Sequence, residues 1–278
     1  MRLQIVRWVS AGQVVSFTLP AADEAILPGV RWGRADVLFS SAYWAGVLRS
    51  CPPTAPLHRL TASLRDELAL CLLGGFGMPA EVGLAAFAHL RGTQLLDESR
   101  LDVVAIARIL REPLELGNGR RARYRFPEQK SRYLVAALRD FDAGGVADTS
   151  PLLLRNRLLR LSGVGWKTAS WVARNWLGTS EVAILDIHVM RAGYLAGVFD
   201  RVTWRPIEYP ALERRYLDWA AALGAPAADF DAVVWREMRS CGRLASATIK
   251  AEFPPAQCLR LRNGSSLPAR AAMPKVHR

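Results

Sequence analysis

Two closely spaced glycines precede a lysine at the point where one predicted helix ends and another begins. They lie in the stretch LSGVGWKTASW, residues 161–171, with Gly163 and Gly165 at the turn and Lys167 two residues further on. Glycine adopts the backbone dihedrals that a sharp turn needs, and it lets a phosphate approach the main chain closely. The first amides of the second helix have no acceptor within the helix and point towards an anion. This helix–hairpin–helix arrangement predicts a clamp for a nucleic-acid backbone that does not read the bases.

A second segment, VAILDIHV at residues 182–189, follows the hairpin. The two segments together resemble the signature of helix-hairpin-helix DNA glycosylases. Asp186 comes 19 residues after Lys167, which is similar to the spacing in the lysine-bearing, bifunctional glycosylase/AP lyases related to 8-oxoguanine DNA glycosylase. The resemblance covers roughly residues 58–240 and implies a mainly α fold of the helix-hairpin-helix glycosylase type.

The resemblance implies that Lys167 is the nucleophile. It would attack C1′ of the damaged nucleoside, expel the base and form a Schiff base that permits β-elimination of the 3′ phosphate. Only a neutral amine can attack, and two features of the sequence favour that form. Lys167 lies at the positive end of a helix dipole, and Trp166, Ala169 and Trp171 offer apolar surroundings that disfavour a charge.

Asp186 is implied to stabilise the oxocarbenium-like sugar and to help activate the lysine. An aspartate before the sequence IHVMR is also typical of a helix N-cap, which accepts hydrogen bonds from the first amides of the helix. The two roles are compatible, because a carboxylate that caps a helix is held in one orientation.

The predicted DNA contacts come from the hairpin and from three residues outside it. Arg125 and Lys130 belong to RFPEQK, which resembles the R-F-x-x-x-K stretch of the same enzymes, and His188 is a candidate for a phosphate or sugar contact. An ordinary exposed loop near residue 125 and a structural role for His188 are the alternatives. The full set is Ser162, Gly163, Val164, Gly165, Thr168, His188, Arg125 and Lys130.

Enzymes that act on damaged bases extrude the nucleotide, fill the gap with a side chain and hold the base in an aromatic pocket. The loop GGFGMP, residues 74–79, lies where glycosylases of this type place such residues. The segment FDAVVW, residues 230–235, is similar to an Asp and Trp pattern that borders their base pocket. Packing of the loop and of the tryptophan in the core is the alternative. The candidates for pocket or wedge are Phe76, Met78, Trp171, Asp231 and Trp235.

The net charge favours a polyanionic partner. The chain has 37 Lys and Arg against 25 Asp and Glu, a formal charge of +12. Residues 149–180 contain no acid and five cations, which form either backbone contacts around the hairpin or a solvated helix face. These cations are Arg155, Arg157, Arg160, Lys167 and Arg174.

The cysteines argue against a metal centre, because no C-x-x-C pair occurs among Cys51, Cys71, Cys241 and Cys258. Relatives that carry an iron–sulfur cluster have four closely spaced cysteines after the catalytic domain, so the resemblance favours the 8-oxoguanine branch. We therefore expect no cofactor and no metal. The N-terminus lacks a signal peptide and no window approaches the roughly eighteen apolar residues of a membrane span. We expect a cytoplasmic, nucleoid-associated protein without a membrane partner.

Apolar residues recur with a helical period from residue 58 onward, which predicts a mainly α protein. One helix ends at Gly74 and Gly75, and others are predicted at about 79–90, 100–111, 127–140, 150–161, 166–177, 186–197, 207–223 and 228–239. Residues 1–20 alternate in hydrophobicity and predict one or two short strands. We divide the chain into an N-terminal extension (1–56) that ends in a proline-rich linker (51–56), a helical body (57–250) and a flexible basic tail (251–278).

The resemblance thus implies a base-excision repair enzyme that removes 8-oxoguanine from duplex DNA, and we expect it to be a monomer. A non-catalytic helix-hairpin-helix DNA-binding protein is one alternative, although it would not need Lys167 and Asp186 at this spacing. A glycosylase for another modified base is the other.

Overall fold

The computed structural model describes residues 3–10, 12–50, 59–75, 77–144 and 150–252, which form ten α-helices and three two-stranded sheets. The helices are α1 (Ser41–Ser50), α2 (Leu64–Leu73), α3 (Ala80–Gly92), α4 (Val103–Arg111), α5 (Pro127–Gly144), α6 (Pro151–Leu158), α7 (Trp166–Leu177), α8 (Ile187–Leu195), α9 (Tyr209–Ala222) and α10 (Ala227–Glu252). The prediction of a mainly α protein is confirmed. Each predicted helix is present, but α10 continues well past residue 239.

The predicted N-terminal strands are confirmed. Strands β1 (Gln4–Ser10) and β2 (Gln13–Leu19) form an antiparallel hairpin in which Val9 lies opposite Val14. Two shorter antiparallel pairs follow, β3 (Ala25–Leu27) with β4 (Val30–Arg31) and β5 (Leu114–Glu115) with β6 (Arg121–Ala122).

Helix α1 is absent from the sequence-based prediction. All of its residues from Ser41 to Val47 are buried, so it is enclosed on every side over its first two turns. A helix of this kind lacks the one-sided apolar pattern by which a surface helix is recognised. The tertiary environment of α1 therefore hides it from an analysis of periodicity.

Local residues set several helix ends. The Ser63 hydroxyl accepts a hydrogen bond from the Asp66 amide (3.1 Å) at the start of α2, and Asp102 accepts one from the Ala105 amide (2.6 Å) at the start of α4. Gly178 ends α7 in the left-handed conformation with φ +62°. Such caps are short-range features. The predicted end of α7 at residue 177 agrees with the cap at Gly178, whereas α4 begins three residues after the predicted start at about 100.

Two hydrophobic cores organise the fold. The first core combines the N-terminal strands and α1 with α8, α9 and α10, and its centre is aromatic, with Trp44, Trp219 and Phe230 fully buried. The second core is built from α2 to α7 and is mostly aliphatic. The N-terminal segment thus packs with the C-terminal helices, and the division into domains stays a prediction. The linker 51–56 and the tail residues 253–278 lie outside the described residues, whereas residues 251 and 252 end α10.

The chain crosses between the cores immediately before α8. Val182 packs in the second core, whereas Ala183 and Leu185 pack in the first. Helix α7 belongs to the second core, but Trp166 at its start packs against the first. The hairpin and Asp186 consequently lie where the two cores meet.

Candidate active site

The hairpin before α7 is shaped by close packing at its first glycine. Gly163 has φ +74°, and a Cβ atom there would lie 2.7 Å from Cδ2 of the Tyr133 ring. The next residue, Val164, is buried in the second core and anchors the turn. Gly165 is the N-cap of α7 with φ −95°, and a Cβ atom there would have no neighbour within 4 Å. Glycine is therefore required at position 163, both by its positive φ and by the close Tyr133 ring, whereas neither reason applies at position 165.

The hairpin presents backbone amides to solvent. Ser162, Gly163 and Gly165 are exposed, and Thr168 is half-buried in the first turn of α7. Among the described residues, the amides of Gly163 and Gly165 have no hydrogen-bond acceptor. An anion can therefore approach this turn at the positive end of the α7 dipole.

Lys167 is half-buried in the first turn of α7. Its Nζ atom lies 5.9 Å from the centroid of the Trp171 ring, one turn later. That ring packs on Gly74 at the end of α2, where a Cβ would be 3.1 Å from its edge. An aromatic face attracts a cation, so Trp171 gives the Lys167 side chain a cation–π contact in addition to an apolar neighbour.

Asp186 caps α8. One of its oxygens, Oδ1, accepts hydrogen bonds from the amides of His188 (2.8 Å) and Val189 (2.9 Å). The capping role proposed from the sequence is confirmed. Both bonds use the same oxygen, and no hydrogen bond within the described residues engages Oδ2. The carboxylate is thus fixed in orientation while one oxygen stays available.

The segment that leads to Asp186 is held by aromatic side chains. The Tyr209 hydroxyl donates to the Ala183 carbonyl (2.7 Å) and accepts from the Leu185 amide (3.2 Å). The Trp204 indole donates to the Leu185 carbonyl (2.8 Å). These bonds place an extended segment of chain, which has no ladder of its own, in one position before α8.

A buried carboxylate, Glu213, joins that segment to the hairpin helices. It accepts hydrogen bonds from the Ala183 amide (3.0 Å) and the Ser170 hydroxyl (3.3 Å), and it pairs with the Arg155 guanidinium. Glu213 thereby connects α6, α7 and the chain before Asp186. Glu213 is not among the candidates from the sequence, because a glutamate on an amphipathic helix carries no local sign of burial.

The charges of Lys167 and Asp186 influence the pKa values of the same two neighbours, His188 and Asp231. Burial lowers the pKa of His188, and Asp186 opposes that shift. The cations of Arg191, Lys167 and Arg239 lower it further. The ring atom Nδ1 of His188 is buried and has no partner within the described residues.

Asp231 responds to the same two charges. Burial raises the pKa of Asp231 to about 7, while Arg174 lowers it. The charge of Asp186 raises this pKa, and the charge of Lys167 lowers it. Lys167 and Asp186 therefore share one electrostatic environment with Asp231 and His188.

The C-terminal pocket candidates occupy different surroundings. Asp231 is buried against α7 and pairs with Arg174 at 2.9 Å, so its carboxylate is already engaged. Trp235, one turn further along α10, is 36% exposed, and the Arg239 guanidinium lies 4.7 Å from its ring centroid. Of the two, only Trp235 presents a free surface.

The structure gathers the remaining candidates around the end of α2. Lys130 donates to the carbonyls of Leu72 and Gly74 (3.2 Å for the second), and burial lowers its pKa, with a further contribution from Lys167. Its ammonium thus has partners at a helix C-terminus. Arg125 is exposed beside Gly77 of the same loop.

Met78, which follows in the same loop, packs against the second core, as the alternative interpretation proposed. Phe76 lies outside the described residues.

The structure corrects the interpretation of the basic segment at 149–180. Arg155 and Arg174 are buried in ion pairs with Glu213 and Asp231. A buried, paired cation cannot reach a phosphate, so the prediction of backbone contacts is wrong for these two. Arg160 is exposed.

Membrane spans and metal sites are both absent from the described part of the chain. No helix in it combines the length and apolar composition of a membrane span. No three His, Cys, Asp or Glu side chains come together there as a metal site.

Comparison with known proteins agrees with the signature seen in the sequence. The sequence model of the family described as 8-oxoguanine DNA glycosylase matches residues 58–225. A relative from Metallosphaera sedula, named 8-oxoguanine DNA glycosylase/AP lyase, is 34% identical over 120 residues, which are 41% of this chain and 58% of the relative. The chain thus spans little more than half of that relative's length.

Solved structures are also similar to this chain. The crystal structure of the 8-oxoguanine DNA glycosylase of Thermotoga maritima has a TM-score of 0.50 and 28% identity, and the match covers 62% of this chain and 77% of the other. The 8-oxoguanine DNA glycosylase of Methanocaldococcus jannaschii has a TM-score of 0.49 and 23% identity, over 62% and 76% of the two chains. The predicted fold class is confirmed, and the chain belongs to the 8-oxoguanine DNA glycosylase family.

Proposed function

We propose that this protein is a bifunctional DNA glycosylase and AP lyase that removes 8-oxoguanine from duplex DNA. The observation that carries the proposal is that Lys167 in the first turn of α7 and Asp186 at the cap of α8 both lie within the region that matches the family. The charges of both side chains influence the pKa values of His188 and Asp231. Both side chains belong to rigid elements, since one lies in the first turn of α7 and the other caps α8. A site built in this way holds reacting groups without reordering them during the reaction.

In the proposed reaction the amine of Lys167 attacks C1′ of the damaged nucleoside, and the bond from C1′ to the base breaks. One amine proton goes to the departing base and another to O4′ as the C1′–O4′ bond breaks, which leaves a Schiff base between the lysine and the opened deoxyribose. The imine acidifies the C2′ protons, and loss of one of them forms a C2′–C3′ double bond as the C3′–O bond breaks and the 3′ phosphate leaves. Asp186 stabilises the positive charge that develops on the sugar and helps to activate Lys167.

Other side chains would hold the substrate. The exposed amides of the hairpin bind a phosphate of the damaged strand, and Trp171, Trp235 and the 74–79 loop are the candidates to contact the extruded base. We expect a monomer, because every predicted function resides in one chain. It also places the protein on chromosomal DNA in the cytoplasm.

Borohydride trapping tests the nucleophile. The assay uses a duplex with 8-oxoguanine opposite cytosine and compares the wild type with Lys167→Gln. We expect a covalent protein–DNA adduct with the wild type alone, because borohydride reduces only an imine and glutamine cannot form one. If the wild type forms an adduct with an abasic duplex but not with the 8-oxoguanine duplex, the enzyme removes a different base. Absence of trapping on both duplexes would favour the non-catalytic clamp.

Asp186→Asn tests the carboxylate in the same assay. Asparagine caps helices about as well as aspartate, so fold and affinity for duplex DNA should stay close to those of the wild type. Base release should fall by orders of magnitude because the negative charge is lost. Full base release by this variant would remove Asp186 from the mechanism.

A further inference from the structure

Helix α10 carries a row of exposed cations beyond the region that matches the family. Between residues 235 and 250, its exposed side chains include four cations and no acid. We call these the α10 row: Arg236, Arg239, Arg243 and Lys250. The family model ends at residue 225, so the row lies outside the residues that this model matches.

The acids of α10 near the row are turned to other partners. Asp231 pairs with Arg174 of α7. Glu237 accepts a hydrogen bond of 2.6 Å from the hydroxyl of Tyr43 on α1. These two carboxylates thus face neighbouring helices, whereas the cations of the row face solvent.

The row begins beside the candidate active site. Asp231 ties the start of α10 to α7, the helix of Lys167, and Trp235 follows one turn later. The Arg239 guanidinium lies over the Trp235 ring, which holds this cation in place. Arg239 also contributes to the low pKa of His188, two residues after Asp186.

Two cations of the row, Arg239 and Arg243, repel each other unless something neutralises them. Arg239 and Arg243 are four residues apart, and like charges at this spacing destabilise a helix. Within the described part of the chain, neither of them nor Lys250 has a carboxylate partner. An ordinary solvated helix face would alternate charges instead. Four cations on one face fit a polyanion.

We propose that the α10 row is a second contact surface for the phosphate backbone of duplex DNA, beside the hairpin. The inference rests on the proposed function only in taking DNA as the substrate. Residues 235–250 extend over about 22 Å of helix, which is the length of about six base pairs at 3.4 Å each. The row would lengthen the footprint on DNA that flanks the lesion and would bind without recognising sequence.

The salt dependence of binding to an undamaged duplex tests this surface. The variant Arg239→Gln/Arg243→Gln should weaken binding and reduce the slope of log Kd against log salt by about 1.8, since each phosphate contact contributes about 0.9. The ratio of the variant's Kd to the wild-type Kd should fall roughly tenfold as the salt concentration rises from about 50 to about 200 mM. Fluorescence anisotropy gives both quantities.

Two control variants make the result specific. Arg100→Gln/Arg108→Gln removes two exposed cations from the second-core side of the protein and should leave the slope unchanged. Arg239→Lys/Arg243→Lys keeps the charge and should keep most of the slope. An unaltered slope for the glutamine variant at α10, or an equal decrease for the control at 100 and 108, would overturn the proposal.

The binding assay requires no chemistry, so it separates this inference from the enzymatic proposal. Suppose that the wild type forms no adduct with abasic DNA, but Arg239→Gln/Arg243→Gln has a smaller slope of log Kd against log salt. The enzymatic proposal is then wrong, and the α10 row is still a DNA contact surface. Trapping together with an unaltered slope overturns the surface alone.

Discussion

Asp231 is the residue at which burial and charge oppose each other most directly. Its carboxylate is 7% exposed and lies 2.9 Å from Arg174, yet burial still raises its pKa to about 7. An unfolded chain would return this pKa to about 3.9. The folded state therefore binds the proton more tightly than the unfolded state between these two values.

Asp231 should make the free energy of unfolding depend on pH. The contribution of Asp231 is fully present below about pH 4 and is lost as the pH rises through about 7. Asp231→Asn should remove this trend, so the difference in free energy of unfolding between wild type and variant should change between pH 5 and pH 8. Urea unfolding at several pH values measures it.

His188 makes an opposing contribution to the pH dependence of stability, which cancels when Asp231→Asn is compared with the wild type. Burial lowers the pKa of His188, so its contribution is present above about pH 6.5 and is lost as the pH falls. This histidine is unchanged in the variant, which leaves Asp231 as the difference. A constant difference from pH 5 to pH 8 would contradict the assigned shift.

At the scale of elements, the hairpin makes unequal demands on its two glycines. Gly163→Ala would strain a residue at φ +74° and force its Cβ into the Tyr133 ring. We expect a loss of stability of more than about 1 kcal/mol together with weaker binding to duplex DNA. Thermal unfolding and anisotropy measure the two effects.

Gly165→Ala is the matched control. Its φ of −95° suits any residue, and nothing lies within 4 Å of its added Cβ. We expect a loss of only a few tenths of a kcal/mol to about 1 kcal/mol, as for a less favourable N-cap. Equal losses at both positions would mean that Tyr133 moves aside and that the turn is not strained.

The elements differ in how far sequence predicts them. The sequence predicts helices α5 and α7 because each has an apolar face and a clear start, at Pro127 and after Gly165. Helix α1 was not, because it is buried on all sides. The length of α10 was also missed, since its second half faces solvent with few apolar residues to mark a period.

At the scale of the whole molecule, the N-terminal segment is part of the first core. Trp44 is fully buried and contacts Phe230 of α10, with ring centroids 6.0 Å apart. Trp44→Ala should therefore lower the free energy of unfolding by about 3–5 kcal/mol. The half-exposed Trp235 is the control, and Trp235→Ala should cost clearly less. Similar losses from both would show that α1 packs only loosely on α10.

By itself, the sequence determined the hairpin, the spacing of Lys167 and Asp186, the cap at Asp186 and most helices. Each of these depends on residues that are neighbours in the chain. Only the tertiary structure decided which cations are exposed and which are buried in ion pairs. The pairs Arg155–Glu213 and Arg174–Asp231 join positions 58 and 57 residues apart, and burial of such partners leaves no periodic trace in a single sequence.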